Sequence, residues 1–321
     1  MGINKDFKKL DEQVEILRNK GMTINNPEYA MEVLFRENYF FLNGYRHLFM
    51  KSATNKTYIN GTTFEELYSL FLFDRSFRNI LFKNILNIEN NLKSIISYHL
   101  SLRYGYHEKE YLDPKNFTNN PEKYRQVLDV IRKMKRQIKS NAASHSATMH
   151  YVNSYGYIPL WVLVKVLSFG IIGELYSILK KEDQVSISDI YDLDSECLSN
   201  YLVLLSNYRN LCAHEDIVFE NRSQRQIADT KYHRLLKVDI TNDEYAYGKN
   251  DVFALLIIMK QMLKYEEFKN LALEIKHAIE NLEINLKSIP IDKVLDRMGF
   301  PKNWEEIIEI GKDEERIFYE K

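Results

Sequence analysis

The segment at residues 62–105 constrains the fold most, because its apolar residues recur at steps of three and four along its length. Such a repeat is typical of one face of an amphipathic helix. Thr62 or Thr63 can cap its start with a side-chain oxygen, and Gly105 marks its end. The predicted face consists of Phe77, Leu81, Ile85, Ile88, Leu92 and Ile95, with His99 in line. A single helix of this length favours an all-α protein.

Two pairs of opposite charge accompany this helix at four-residue spacing. Asp74 precedes Arg78 and Glu89 precedes Lys93, an order that weakly stabilises a helix. We interpret both pairs as solvated support on the wetter side of the helix. His99 shares the apolar face, so we interpret it as a core histidine with satisfied hydrogen bonds rather than as a catalytic group.

Shorter helices are predicted on both sides of this segment. Their approximate ranges are residues 4–41 (two helices), 121–139, 158–179, 198–212, 250–263, 266–286 and 291–298. The polar stretch at residues 241–243 lies in a gap that can hold a short hairpin. We therefore expect an all-α, multi-helix bundle with additional helices and long connecting loops. It forms a single unit over residues 1–321, with residues 1–120 and 121–321 as two optional lobes.

Composition limits the classes of function. The chain is 45% hydrophobic and 28% charged, which is ordinary for a globular protein. Because 44 Lys and Arg oppose 45 Asp and Glu, any nucleic-acid contact has to come from a local basic patch. Two cysteines cannot build a disulfide framework and residues 1–6 contain no apolar signal core, so we expect a cytoplasmic protein. The most apolar run, residues 158–179, contains Lys165 and Glu174, which favours a buried helix over a membrane span.

Several common catalytic motifs are missing from the sequence. There is no Walker A segment, no G-x-G-x-x-G, no H-E-x-x-H and no pair of cysteines at zinc spacing. We therefore expect neither a metal site nor a cofactor. A Ser-His-acid triad stays open, but no G-x-S-x-G segment supports one.

Basic residues concentrate on the helix predicted at residues 121–139. They are Arg125, Arg132, Lys133, Lys135, Arg136 and Lys139, opposed by Glu122 and Asp129. This helix leads into a predicted loop that contains His145 and His150. Arg132, Lys133 and Arg136 are candidates for phosphate contacts with RNA, and the alternative is a merely solvated charged face.

The strongest chemical signal lies at residues 207–214, where an apolar-periodic helix ends. Arg209 and His214 fit an R-x4-H pattern, and Asn210 stands beside the arginine. Arginine supplies a permanent cation for phosphate charge and histidine exchanges protons near neutral pH, so the pair suggests phosphodiester cleavage. The spacing alone is weak, because about one such match is expected by chance in this chain.

The predicted geometry of this motif leaves three alternatives. On an ideal helix His214 lies about 140° round from Arg209 and about 7.5 Å further along, so the two side chains do not converge. Either the helix distorts near Ala213, or a second copy of the chain supplies the facing half of the site. In the third alternative Arg209 covers the helix edge with its stem and His214 is a solvated residue past the last turn.

Four blocks of sequence, in this order, resemble the bacterial Abi-like family of abortive-infection proteins of the AbiD/AbiF type. They are residues 73–78 continuing to Glu89, residues 158–161 with 167–170, residues 209–214 continued by Asn221 and Arg222, and residues 298–304. Lys165 departs from the pattern, since the resemblance implies a carboxylate there. The family is similar to the HEPN-type RNases, all-helical proteins whose R-x4–6-H motif cleaves RNA without metal, usually across a dimer.

This resemblance implies roles for individual residues. Arg209 and His214 become catalytic candidates with Asn210 beside them. Arg222 is a candidate RNA contact in addition to Arg132, Lys133 and Arg136, which the charge pattern of the basic helix suggests. We expect a metal-independent endoribonuclease in phage defence or as the toxin of a toxin–antitoxin pair, acting as a homodimer. Its partners are RNA as substrate and, as a further option, a cognate non-coding RNA. The alternative is a non-catalytic RNA-binding or partner-binding defence protein.

Overall fold

The computed structural model describes residues 6–52 and 54–312, and it confirms the all-α class. The first helices are α1 (Leu10–Asn19), α2 (Pro27–Glu37), α3 (Tyr39–Gly44), α4 (Phe64–Tyr104), α5 (Glu108–Tyr111), α6 (Tyr124–Asn141), α7 (Ser146–Tyr155) and α8 (Leu160–Leu163). They continue with α9 (Phe169–Ile178), α10 (Lys181–Asp189), α11 (Ser195–Ala213), α12 (Lys231–Leu235), α13 (Val252–Met262), α14 (Tyr265–Asn285) and α15 (Ile291–Met298). Short 3-10 turns lie at Tyr45–Phe49, Pro114–Asn116, Pro121–Lys123 and Trp304–Ile308. The predicted absence of a signal core rests on residues 1–6, of which 1–5 lie outside the described residues.

The long helix α4 is the axis of the fold. Its 41 residues span roughly 60 Å at 1.5 Å per residue. Thr63 caps its start, because its hydroxyl accepts a hydrogen bond from the backbone of Glu66 while the Glu66 carboxylate accepts one from the backbone of Thr63. Helices α8, α9, α10, α11, α13 and α14 all contact α4. The helix predicted at residues 62–105 is thus confirmed, and elements from beyond residue 120 pack around it.

Helix α9 lies close to the motif-bearing helix α11. A Cβ atom on Gly173 would lie 3.8 Å from Cβ of Leu202, and one on Gly170 would lie 3.6 Å from Oγ of Ser206. Small residues at these two positions therefore let the helices approach. The continuous helix predicted at residues 158–179 is wrong, because the chain leaves helical geometry after α8 and a new helix begins where Ser168 caps α9.

Two other sequence expectations have opposite outcomes. The hairpin predicted near residues 241–243 is confirmed, since β1 (Ile240–Thr241) pairs antiparallel with β2 (Glu244–Tyr245). The loop predicted around His145 and His150 is wrong, because His145 precedes α7 and His150 lies inside it. Thr148 is the one buried side chain of that helix, so α7 lacks the apolar periodicity that would have predicted it.

The charged pairs of α4 are buried, so their prediction as solvated pairs on the wetter side is wrong. Asp74 and Arg78 are both nearly inaccessible to solvent, and so are Glu89 and Lys93. Four-residue spacing fits a buried pair as well as an exposed one. What buries these residues is the long-range packing of α11 and of the segment after it, which local spacing does not encode.

The Asp74 carboxylate holds the segment that follows α11. It accepts hydrogen bonds from the Tyr45 hydroxyl at 2.7 Å, Nη1 of Arg78 at 2.6 Å, and the backbone N–H groups of Val218 at 3.2 Å and Phe219 at 2.8 Å. Nη1 of Arg78 also donates to the carbonyl oxygen of Asp216 at 3.3 Å. A buried charge is tolerated only when it is paired and hydrogen-bonded, and this one is both.

His99 is a core histidine, as predicted. Its Nε2 lies 3.2 Å from the buried carboxylate of Asp183, which also accepts hydrogen bonds from Arg103 at 2.6 Å and from the Tyr104 hydroxyl at 2.7 Å. Burial by itself raises the pKa of Asp183, but the hydrogen bonds from His99 and Tyr104 and the charge of Arg103 lower it below its usual value. These contacts connect the end of α4 to α10.

Replacing Asp74 with asparagine tests this anchoring. Asp74→Asn leaves Arg78 without its buried counter-ion and turns an amide N–H₂ group toward backbone donors, so we expect the free energy of unfolding to fall by about 3–5 kcal/mol. Urea denaturation followed by circular dichroism measures it. The matched control Asp239→Asn lies at an exposed position and should change stability by no more than about 0.5 kcal/mol. A decrease below about 1 kcal/mol for Asp74→Asn contradicts the anchoring.

Candidate active site at the end of α11

Helix α11 presents the motif as the sequence predicts. Asp194 caps its start by accepting hydrogen bonds from the backbone N–H groups of Glu196 and Cys197. The predicted apolar stripe is buried throughout: Leu198, Tyr201, Leu202, Leu205, Tyr208 and Cys212. Asn210 and His214 are exposed, so the polar side of the last turn faces solvent.

The helix ends in a Schellman arrangement just after the motif. The backbone N–H of His214 still bonds to the carbonyl of Asn210 at 2.9 Å, whereas Glu215 takes a left-handed conformation with φ of 59°. The N–H of Asp216 then reaches back to the carbonyl of Leu211 at 3.1 Å. The helix therefore stays regular through Ala213, and the chain turns only after His214.

Arg209 lies at the edge of the buried stripe and meets α4. Its Nε is 3.7 Å from Oε2 of Glu89, and its guanidinium carbon is 5.8 Å from the centroid of the Phe82 ring. About one third of the side chain (33%) remains exposed. Oε1 of the same Glu89 accepts a hydrogen bond from Nζ of Lys93 at 2.7 Å. One buried carboxylate thus stands between two cations that come from two different helices.

The contact between Glu89 and Arg209 is one of charge rather than of hydrogen bonding. Within the described part of the chain, neither Oε2 of Glu89 nor Nε of Arg209 has a hydrogen-bond partner. The Glu89 carboxylate and the Phe82 ring position Arg209 without occupying all of its hydrogen-bond donors. A phosphate group can therefore approach a guanidinium that is already oriented.

His214 is open to solvent. Among residues 6–52 and 54–312 its side chain makes no hydrogen bond or ion pair, and it is exposed at the first position after α11. Because other protein groups leave it free, its imidazole can exchange a proton with a bound substrate.

The segment after His214 is packed tightly against the N-terminal helices. A Cβ atom on Gly44 would lie 2.7 Å from Cδ1 of Ile217, so a larger residue at this position would require the end of the Ile217 side chain to move. The ring of Phe219 stacks on Tyr45 with centroids 5.9 Å apart and planes 14° from parallel. Together with the Asp74 hydrogen bonds, these contacts fix the direction in which the chain leaves His214.

Sequence reasoning missed the positioning residues Asp74, Arg78 and Glu89. A signal was present, because residues 70–81 contain apolar side chains on all sides of the helix, and a helix that is apolar all round is buried. Charged side chains within such a stretch have to be paired inside the protein.

The predicted RNA contacts lie on other elements. Lys133 on α6 is paired, since its Nζ lies 2.8 Å from Glu174 and 3.0 Å from Asp129. Arg132 is exposed and 3.6 Å from Asp129, and Arg136 is exposed as well. Helix α9 contacts both α6 and α11, so the basic helix and the motif helix share a neighbour.

Arg222, the remaining predicted RNA contact, is exposed on the segment after α11. It is close enough to the buried Asp251 to influence its ionisation. Burial raises the pKa of Asp251 to about 6, while hydrogen bonds from the backbone of Ala254 and Gly248 and the charge of Arg222 oppose this rise.

Other chemistries find less support in the described residues. No group of three or more His, Cys, Asp or Glu side chains in residues 6–52 and 54–312 is arranged to hold a metal ion. Cys197 and Cys212 are unpaired, and burial raises their thiol pKa values to about 11 and about 12, which disfavours the reactive thiolate. Over the same ranges, no helix is both long and apolar enough to cross a bilayer.

Comparison with known protein families gives a match over more than half of the chain. The model of a family described as Abi-like protein matches residues 32–220. That range includes α4 and α11 with Arg209 and His214, whereas the resemblance at residues 298–304 lies outside it. No curated protein and no solved structure gives a match.

Proposed function

Because the chain belongs to the Abi-like protein family, we propose that it is a metal-independent endoribonuclease acting in abortive-infection defence against phage. A role as the toxin of a toxin–antitoxin pair is a second form of the same proposal. The observation that supports it most is the end of α11, where an exposed His214 follows an Arg209 that Glu89 and Phe82 hold in place. A proton-transfer group and an oriented cation are two groups that can catalyse phosphodiester cleavage without a metal ion.

The proposed reaction uses the substrate's own nucleophile. The 2′-hydroxyl of the RNA attacks the adjacent phosphorus, and His214 accepts or donates the proton that is transferred. Arg209 stabilises the charge on the equatorial phosphate oxygens by a bidentate contact, with Asn210 beside it as a further hydrogen-bonding group. The products are a 2′,3′-cyclic phosphate and a 5′-hydroxyl end, and DNA resists because it lacks the 2′-hydroxyl.

The proposed working unit is a homodimer. Each chain carries one R-x4-H motif, and α11 stays regular through Ala213, so Arg209 and His214 remain on different sides of the helix. A two-fold axis at the end of α11 brings the same surface of two chains together. The arginine of one chain and the histidine of the other then face one phosphate.

The alternative is a non-catalytic protein that binds RNA or a partner, with Arg209 gripping phosphate and His214 structural. The side chain of His214 is exposed and makes no bond within the described residues, which argues against a structural role, since a structural histidine normally has partners. A histidine that is only solvated is exposed as well, so an activity measurement has to decide. Incubating the purified protein with mixed RNA in EDTA separates the two, because only the nuclease produces fragments.

Substitution of the motif residues tests catalysis. We expect Arg209→Ala and His214→Ala each to lower the rate of RNA cleavage by about two to three orders of magnitude, since each removes one positioned catalytic group. Gel analysis of a labelled RNA measures the rate, and circular dichroism verifies that both variants are folded. The thermal midpoint of His214→Ala should stay near that of the wild type. The matched control is His277→Ala, an exposed histidine on α14, which should leave cleavage unchanged. Full activity in a folded His214→Ala protein favours the binding alternative.

Mixing the two inactive variants tests the composite site. A heterodimer of Arg209→Ala and His214→Ala chains contains one intact pairing of Arg209 from one chain with His214 from the other. With random reassortment, activity should return to on the order of a quarter of the wild-type value. Each variant mixed with itself provides the control. A protein that is monomeric in solution and cleaves RNA at full rate rules the dimer out.

The basic helix generates a further prediction. Arg132 and Arg136 are exposed, whereas Lys133 is held by Glu174 and Asp129, so only the arginines should contact phosphate freely. We expect the double variant Arg132→Gln/Arg136→Gln to bind RNA more weakly. The slope of the logarithm of the binding constant against the logarithm of the salt concentration, which we call the salt slope, should become less steep by about 0.7 for each phosphate that the variant no longer neutralises. Lys133→Gln should have a smaller effect. Fluorescence anisotropy at several salt concentrations measures both, and an unchanged slope in the double variant means that the helix is only solvated.

A further inference from the structure

A surface groove lies between α4 and α8. Its volume is about 440 Å³, within the range of small-ligand sites. Lys93 and Tyr98 line it from α4, and Trp161 and Lys165 line it from α8 and the residues after it. None of the described residues that line it carries a carboxylate.

Two aromatic side chains of the groove are exposed to solvent. Tyr98 is 66% exposed and Trp161 is 43% exposed, although large aromatic rings are normally buried. Ser94, Ser97 and Ser101 also line the groove, and Oγ of Ser101 has no hydrogen-bond partner in the described residues. Ring faces, hydroxyls and lysines together can receive a planar base and the phosphate next to it.

The groove begins where the motif arginine meets α4. Lys93, which lines the groove, is bonded to Glu89, and Glu89 is the carboxylate 3.7 Å from Nε of Arg209. Asn90, the residue after Glu89, lines the groove as well. Lys93 lies four residues after Glu89, so the distance from the Arg209 contact to this side of the groove is roughly 6 Å along α4.

A row of aromatic rings continues from the other end of the groove. The centroids of Trp161 and Tyr106 are 5.8 Å apart, Tyr106 and Tyr157 are 5.9 Å apart, and Tyr157 and Tyr155 are 6.4 Å apart. The row then reaches Tyr151 on α7, and α7 contacts the basic helix α6. We call the groove and this row of rings the aromatic track.

We propose that the aromatic track binds unpaired RNA, with one base stacked on Trp161 and the adjoining phosphate on Lys165. This inference rests on the proposed nuclease function, because it assigns the part of the substrate next to the cleaved bond. Bases in a duplex are stacked on one another, so their faces reach exposed rings only in single-stranded RNA. The track also connects the two regions that the sequence singled out, the motif at residues 209–214 and the basic helix.

Tryptophan fluorescence gives a direct readout of the track. The chain has two tryptophans, and Trp304 is only 3% exposed, so an RNA base that stacks on Trp161 should quench the accessible emission. The His214→Ala protein is titrated with a single strand of about 12 nucleotides, a usual site size for such surfaces, and with the duplex of the same sequence. Trp161→Phe should remove the quenching.

We expect Trp161→Ala, made in the His214→Ala background, to weaken binding of the single strand about tenfold to a hundredfold. Lys165→Gln should lower the salt slope by about 0.7. The exposed control Lys302→Gln should change neither the affinity for the single strand nor the salt slope. The duplex should bind at least about tenfold more weakly than the single strand. Circular dichroism verifies that each variant is folded.

The outcomes separate this inference from the proposed nuclease activity. Unchanged affinity in folded Trp161→Ala and Lys165→Gln proteins, or equal binding of the duplex, overturns the track, and cleavage by the wild type then still supports the nuclease. If Trp161→Phe removes the quenching and Trp161→Ala lowers the affinity, but the wild-type protein cuts no RNA, the track is supported and the nuclease activity is overturned. Absence of any RNA binding overturns both.

Discussion

The buried carboxylate of Asp74 is the constraint on which the site depends. It joins α4 to the backbone of Val218 and Phe219, which lie just beyond His214. A carboxylate removed from water has to be neutralised and fully hydrogen-bonded, so the segment after α11 can take few other positions while Asp74 stays buried. The backbone next to His214 is therefore held in place, although the His214 side chain is exposed and makes no hydrogen bond within the described residues.

The same long helix positions the arginine. Glu89 lies 15 residues after Asp74, which corresponds to roughly 22 Å along α4. Arg209 is beside Glu89 and Phe82, whereas the segment just after His214 is hydrogen-bonded to Asp74 and Arg78. Two buried acids on one rigid element thus hold the two ends of the motif in register. Any bending of α4 between them would change the spacing of the site.

The spacing of apolar residues predicted where the main helices lie, whereas the roles of individual side chains depend on contacts with distant parts of the chain. The apolar periodicity at residues 62–105 and the apolar stripe from Leu198 to Cys212 were sufficient to predict α4 and α11, because each apolar face is formed by residues of one continuous segment. The role of Asp74 was not predictable in this way, since its partners Val218 and Phe219 are more than 140 residues away. Trp161 lies in the run at residues 158–179 that was predicted as one buried helix, whereas in the structure it is 43% exposed on the short helix α8.

The balance of charges on this chain favours recognition by stacking. The chain has a net charge of −1, and Lys133 and Lys93 are both paired with carboxylates, so that among the described residues Lys165 is the cation of the groove that remains free. Counter-ion release can then supply only a small part of the binding free energy, and ring faces have to supply more of it. Binding of this kind depends weakly on salt and strongly on whether the bases are unpaired. It would direct a proposed nuclease toward exposed single strands and leave folded duplex RNA intact.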